Sequence, residues 1–392
     1  MIIIRRFARH ARGTPMMQDN PSHTRPGLDG CVLCGKCLEV CPLLAATGRE
    51  ELSPRAKAVL TVHGGSHSAE DLARLCLGCG RCARVCPQGQ DVPAVVAALR
   101  AARPDFRQWL WKAALARSGA LWPVAATLAK PMPKDFLRKR LGGLLKGLGA
   151  LSRPGCEPFV RVAGLSDAWR GRRAALFSGC AGAHAARRWT DRAARLLDMA
   201  GVTRAEAEFQ CCGATLGSAG LPRERDAARA ANVAAWRAAG RPLLAAFCVS
   251  CLAGLRAYAG PGLFQDAAEE AAWAASITPL SAILQGGRFV LTSNPGRAAW
   301  HTPCHAAVPD PDLALWRGVP GLDLETPEAR CCGFGGVLQL ADPALAARVS
   351  ELRWRDMTAG LVLTGCSACA MQLAAAAPEG VRAAHWLDAL DA

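Results

Sequence analysis

Apolar positions along this chain follow two spacings. Leu345, Val349 and Leu352 recur at i, i+4 and i+7, one face of a helix, with Asp342-Pro343 as its cap. Ala174–Ser178, Pro242–Phe247, Ala298–Thr302 and Leu361–Thr364 are instead short apolar runs that read as strands. Nearer the start, Ser53-Pro54 opens a helix over Arg55–Val62. Ser68-Ala-Glu-Asp71 leads another toward Cys76, with acids early as the helix dipole favours. Asp91-Val-Pro93 starts a third helix, Ala94–Ala102, which Pro104 ends. Val381–Leu390 reads as a closing helix.

Between these regions the pattern loosens. Trp109, Leu110, Ala114, Leu121 and Trp122 alternate with basic residues, and Gly142, Gly143, Gly147, Pro154 and Gly155 are expected to relax the chain. The basic residues are Arg107, Lys112, Arg117, Lys130, Lys134, Arg138, Lys139, Arg140, Lys146 and Arg153, against Asp135 alone. Two readings stay open, an amphipathic linker packed on the next domain and a peripheral foot on anionic lipid through residues 107–153. Nucleic acid is not expected, because no helix-turn-helix, aromatic platform or zinc finger accompanies the charge.

Length and composition narrow the class. With 392 residues, 51% of them hydrophobic, the chain is globular and long enough for two or three cores. No apolar stretch after Met1–Ile4 makes a signal peptide, and no run reaches the roughly eighteen uncharged residues of a membrane span. A cytoplasmic protein is expected, free or peripheral on the inner face of the membrane. Nineteen cysteines fall in C-x-x-C and Cys-Cys groups, the usage of metal ligation in a reducing compartment.

Two of those groups are strict. Cys31, Cys34, Cys37 and Cys41-Pro42, then Cys76, Cys79, Cys82 and Cys86-Pro87, each follow C-x2-C-x2-C-x3-C-P, which holds [4Fe–4S] cubes in bacterial-type ferredoxins. The fourth cysteine of such a run ligates the other cube. The expected sets are therefore Cys31, Cys34, Cys37 and Cys86 on one cube, and Cys76, Cys79, Cys82 and Cys41 on the other. Paired zinc knuckles would need no trailing Cys-Pro. The long insert between the motifs favours a helical ferredoxin domain over a compact β-hairpin one.

An internal repeat follows. Cys180, Cys211-Cys212-Gly213 and Cys248-Val-Ser-Cys251 are answered by His301-Thr-Pro-Cys304, Cys331-Cys332-Gly333 and Cys366-Ser-Ala-Cys369. Pro222 and Pro343 stand at matching helix starts, and Trp236 and Trp354 each lie twelve residues before the C-x-x-C. Each copy reads as strand, ligand loop, helix, strand, ligand loop, with ligands where strands end. Each offers five thiols where a cube needs four, and the adjacent pair suits a larger or opened cluster. Buried apolar cysteines and a zinc site are the bland alternatives. His184 and His305 read as structural, Cys156 as a spare thiol.

These CCG units resemble the cysteine-rich repeats of the heterodisulfide reductase catalytic subunit. The whole chain from about residue 25 resembles the iron–sulfur subunit of glycolate oxidase, the D-lactate dehydrogenase partner and the iron–sulfur component of anaerobic glycerol-3-phosphate dehydrogenase. Arg55 in Ser-Pro-Arg and Val381-Arg-Ala-Ala-His385-Trp386 are similar to the glycolate oxidase branch. The resemblance implies an α+β multidomain chain. Its expected parts are a basic arm (1–24), a helical two-[4Fe–4S] ferredoxin domain (25–105), a basic linker (106–171) and two tandem α/β CCG repeats (172–290 and 291–392). It implies one or two further, noncubane [4Fe–4S] clusters, on Cys180, Cys211, Cys212, Cys248 and Cys251 and on Cys304, Cys331, Cys332, Cys366 and Cys369. The function implied is electron transfer from a flavoprotein 2-hydroxyacid dehydrogenase, oxidising glycolate or D-lactate, to a quinone or another carrier. Members of that branch often lack one cysteine of a C-x-x-C. Both pairs are complete here, which leaves open disulfide reduction at noncubane clusters. No catalytic residue is assigned.

Overall fold

Runs such as Leu243–Ala246 and Leu361–Thr364 bury nearly every side chain, as strands covered on both faces must. The computed structural model describes residues 30–63, 67–128 and 142–392, so the expected basic arm lies outside the described residues. Among the described residues are eleven strands: β1 (Val160–Gly164), β2 (Arg173–Phe177), β3 (Thr203–Arg204), β4 (Leu243–Ala246), β5 (Ile277–Pro279), β6 (Arg288–Leu291), β7 (Ala298–Trp300), β8 (Leu324–Glu325), β9 (Leu361–Thr364), β10 (Arg382–His385) and β11 (Leu390–Asp391).

They form two parallel four-stranded sheets of identical topology, β3-β2-β4-β5 and β8-β7-β9-β10. In each, the chain leaves the first strand toward one edge and then returns to its other side. That reversal opens a crevice at the carboxyl ends of the two central strands. Cys180 follows β2 and Cys248 follows β4; Cys304 follows β7 and Cys366 follows β9. Topology thus delivers the ligand loops to one end of each sheet.

A third sheet was not legible beforehand. β1 pairs parallel with β11 and antiparallel with β6, so the ends of both repeats meet on a strand from the expected linker. Its alternating burial is that of Val160-Arg161-Val162.

Two expectations need correction. Val381–Leu390 is no helix: β10 runs into a 3-10 turn, Trp386–Ala389, and then β11, because pairing with β9 and β1 satisfies its backbone. Nor do Gly142, Gly143 and Gly147 loosen the chain. They lie in a helix, Gly142–Leu151, packed on the helix Ser367–Ala376. A side chain at Gly147 would come 2.5 Å from Met371, so glycine permits the close approach.

The N-terminal part is helical, with Pro54–His63, His67–Arg74 and Val92–Ala102 close to their expected limits. The first motif region packs on the second repeat. Cys41, Leu43, Leu52 and Leu77 share a core with Cys331, Leu338, Leu345 and Val349. Against the first repeat, the buried Arg100 donates to the carbonyls of Ser218 (2.6 Å), Arg74 (2.7 Å) and Cys76 (2.8 Å). No described helix is long and apolar enough to cross a membrane.

Candidate metal centres

Both C-x2-C-x2-C-x3-C runs curl a loop into a short helix through a left-handed glycine, Gly35 or Gly80. The structure gathers their cysteines in crossed sets. Cys31, Cys34, Cys37 and Cys86 line one cavity, and Cys41, Cys76, Cys79 and Cys82 line another. Burial pushes the Cys37, Cys41 and Cys82 thiols up, and neighbouring thiolates add to the effect. Such a crowd of sulfurs ionises together only around a cation.

The two repeats continue the arrangement as a row. The Cys79 thiol is within hydrogen-bonding reach of Cys304, and Cys304 of Cys331. Cys332 reaches Cys331 and Cys369, and Cys369 reaches Cys366. Cys366 meets Cys248 across the repeats; Cys251, Cys212, Cys211 and Cys180 follow in order. The junction is reciprocal. Ser250 Oγ lies 3.0 Å from Cys366 Sγ, and the Ser367 amide donates to Cys248 Sγ at 3.5 Å. Cys248 and Cys366 each cap a helix, where the dipole favours a thiolate.

Glycine after each cysteine pair has a definite task. The Gly213 and Gly333 amides donate at 3.4 Å to the first sulfur of the pair, from φ of 80° and 85°. A Cβ on Gly333 would lie 2.7 Å from the Ala346 carbonyl, so no other residue fits. Free thiols, mutual crowding and amides aimed at sulfur make this donor set fit iron–sulfur clusters.

Comparison with known families agrees. Residues 27–90 match the 4Fe-4S dicluster domain, and residues 174–256 and 298–374 each match the cysteine-rich domain known as CCG. The chain carries a 4Fe-4S dicluster domain and two CCG cysteine-rich domains. Its similar relatives include one of the polypeptides of the dihydromethanophenazine:CoB–CoM heterodisulfide reductase, from two organisms. The Methanosarcina mazei protein is 24% identical over 85% of this chain and 84% of its own length. The Methanosarcina acetivorans protein is 23% identical over 88% of each. The CCG chain is an electron-transfer oxidoreductase component that carries iron–sulfur clusters.

Around the CCG sites lie residues that the motif reading passed over. His301 is fully buried, and its ring sits within 4.8 Å of Cys332 and Cys369. Arg353, equally buried, donates to His301 Nδ1 at 3.1 Å, which leaves the proton on Nε2, the nitrogen free to face the cysteines. In the first repeat Phe177 stands at the matching place, three residues before Cys180. That mismatch was the available signal. There, Asn232 braces the pair instead, donating to the Cys211 carbonyl at 3.1 Å and to Tyr258 Oη at 2.8 Å. Burial pushes Asp312 up to about 8 and pulls His385 down to about 4, so these two neighbours of Cys248 are uncharged at neutral pH. His184 and His305 are placed differently: His184 packs on Gly119, and the exposed His305 reaches Ser250 Oγ only at 3.5 Å. Cys156 is buried apart from every other thiol set, its pKa pushed up to about 12 by burial.

Proposed function

We propose that this chain is the iron–sulfur subunit of a multi-subunit oxidoreductase that delivers electrons to a disulfide. The ferredoxin domain (25–105) would hold two [4Fe–4S] cubes, on Cys31, Cys34, Cys37 and Cys86 and on Cys41, Cys76, Cys79 and Cys82. Each CCG repeat (172–290 and 291–392) would hold a further, noncubane cluster. These are Cys180, Cys211, Cys212, Cys248 and Cys251 in the first, and Cys304, Cys331, Cys332, Cys366 and Cys369 in the second. Such clusters supply one-electron carriers.

One observation carries the reading: the row of thiols is continuous from Cys79 to Cys180, and the two C-x-x-C groups touch at Cys248 and Cys366. Cleaving a disulfide takes two electrons and two protons and yields two thiols, so two adjoining one-electron sites suit it. The names of the two Methanosarcina relatives support the same choice.

A second reading keeps the chain as partner to a flavoprotein that oxidises glycolate or D-lactate, with a quinone or another carrier as acceptor. Its support is the sequence, which has no G-x-G-x-x-G after a strand and so depends on a companion for two-electron chemistry. In either reading the exposed Phe106, Trp109, Val124 and Leu128, set among the basic residues of 107–153, support peripheral contact with an anionic membrane. Salt should then release the protein from anionic vesicles.

Iron and sulfide counting with low-temperature EPR on anaerobically purified protein tests the cluster sets. About sixteen irons are expected, and about eight would leave only the cubes. Reduction of a small disulfide by the isolated chain with a low-potential dye supports the first reading. Inactivity there, with a flavoprotein co-purifying, supports the second.

A further inference from the structure

The two cavities of the ferredoxin domain are built from matching cysteine sets, yet the cations that face them differ. Both come from the helix Pro54–His63. Arg55 lines the cavity of Cys31, Cys34, Cys37 and Cys86, but its guanidinium is paired with Glu50 and its side chain is 34% exposed. Lys57 lines the cavity of Cys41, Cys76, Cys79 and Cys82 and is only 2% exposed. Its ammonium donates to the Leu52 carbonyl, and among the described residues no carboxylate pairs with it. The charged groups around it are the cavity's own thiols and a second cation, Arg100.

A buried ammonium without a counter-ion costs far more than one hydrogen bond returns. An iron–sulfur core on four thiolates is an anion, about −2 when oxidised. It would supply the missing charge. Adding an electron makes that anion more negative, so a fixed cation at its edge favours the reduced form. Arg55 gives the other cavity less of this, because Glu50 cancels its charge and water screens it.

We propose that the Lys57 ammonium is the built-in counter-ion of the cluster held by Cys41, Cys76, Cys79 and Cys82, and makes that cluster the more easily reduced of the ferredoxin-domain pair. The proposal rests on the cluster reading above. Its consequence is a downhill order within the domain that ends where Cys79 meets Cys304.

The test is an EPR-monitored redox titration of the full chain, purified anaerobically, in native form and as Lys57→Met, Lys57→Arg and Arg55→Met. Lys57→Met should lower the midpoint of one cluster signal alone. At a fixed solution potential its reduced-to-oxidised ratio should fall about tenfold, which is 59 mV for a one-electron couple. Lys57→Arg should keep the native midpoint, and Arg55→Met should move the other signal by less. Unchanged midpoints in Lys57→Met, or an equal shift in Lys57→Arg, overturn the proposal. Should Lys57→Met fail to hold that cluster, retention by Lys57→Arg at the native midpoint supports the need for charge. Loss in both variants overturns it in favour of packing. A native chain without iron overturns the cluster reading together with the proposal.

Discussion

The two CCG repeats share a sheet order, a proline-started helix and the placing of five cysteines, but not what surrounds the sulfur. The first repeat braces its cysteine pair with the neutral Asn232 and Tyr258, and its nearby cation, Arg229, is stacked over the Tyr258 ring at 5.3 Å. The second encloses its pair with His301 and the buried cation Arg353. A duplicated backbone therefore fixes where ligands go, while single side chains set the electrostatic character of each site. The repeats also differ in position. Only the second touches the ferredoxin domain through sulfur, at Cys79 and Cys304.

The largest expected effect breaks that positional difference. Cys332→Ser and Cys212→Ser should each cost about four irons per chain. Cys332→Ser should also leave the first-repeat site unreduced by a dye-driven ferredoxin domain, because the row is cut between the two. Cys212→Ser should leave the second-repeat site reducible. Iron analysis and EPR of the two variants, reduced in parallel, check the asymmetry; identical behaviour would deny the row its order.

Next comes the brace. Asn232 accepts from the Gln210 amide at 2.7 Å while donating to Cys211 and Tyr258. Asn232→Ala strands buried partners and should cost about 1–3 kcal/mol, read by thermal unfolding under anaerobic conditions. Ser350 stands at the matching point of the second repeat, four residues before Trp354 as Asn232 is before Trp236, and makes no such bonds to the pair. Ser350→Ala should cost less than Asn232→Ala, because the buried Ser350 hydroxyl has no hydrogen-bond partner among the described residues to strand.

How far the sequence announced all this depends on whether a feature is local. Cysteine spacing, Pro222, Pro343 and the paired tryptophans were readable because each is a short-range pattern, repeated. β1 and the Val381–Leu390 region were not, since their structure is decided by partners far along the chain: β1 joins β6 and β11, and β10 joins β9. The glycines of 142–147 misled for a related reason. Each costs about 1 kcal/mol of helix propensity, and close packing offsets it, with Gly147 against Met371 and Gly143 against Gln339. Lys57 and Arg353 look like surface cations until burial is known. His301 left a trace, because the first copy has Phe177 at its place, as Asn232 did against Ser350.

A smaller effect sharpens the electrostatic side of the comparison. His301→Phe gives the second repeat the residue of the first. It removes a ring N–H facing Cys332 and Cys369, and should lower the midpoint of the second-repeat site by tens of millivolts at about constant iron content. Phe177 substitutions should leave that midpoint alone. A redox titration followed by EPR separates the two, and equal midpoints in native and His301→Phe protein would sink the electrostatic difference between repeats.

The smallest effect concerns a helix, Ala267–Ser276, that stands between the Cys251 helix and β5 and has no counterpart in the second repeat, where Ser367–Ala376 runs directly to β10. Glu269 on it is clasped by Arg237 and Arg241, at 2.5 and 2.8 Å, and the Arg237 hydrogen bond, helped by the Gln265 amide, holds its carboxyl at about 2. A carboxyl depressed on folding adds stability above its unfolded value, and loses it as pH falls toward the folded one. Glu269→Gln should therefore be less stable than the native chain at pH 7. The gap should close between about pH 4.5 and pH 2, where native Glu269 takes up its proton. Thermal unfolding of both proteins across that window checks the sign; a gap that stays constant with pH would mean the clasp acts through packing and not through charge.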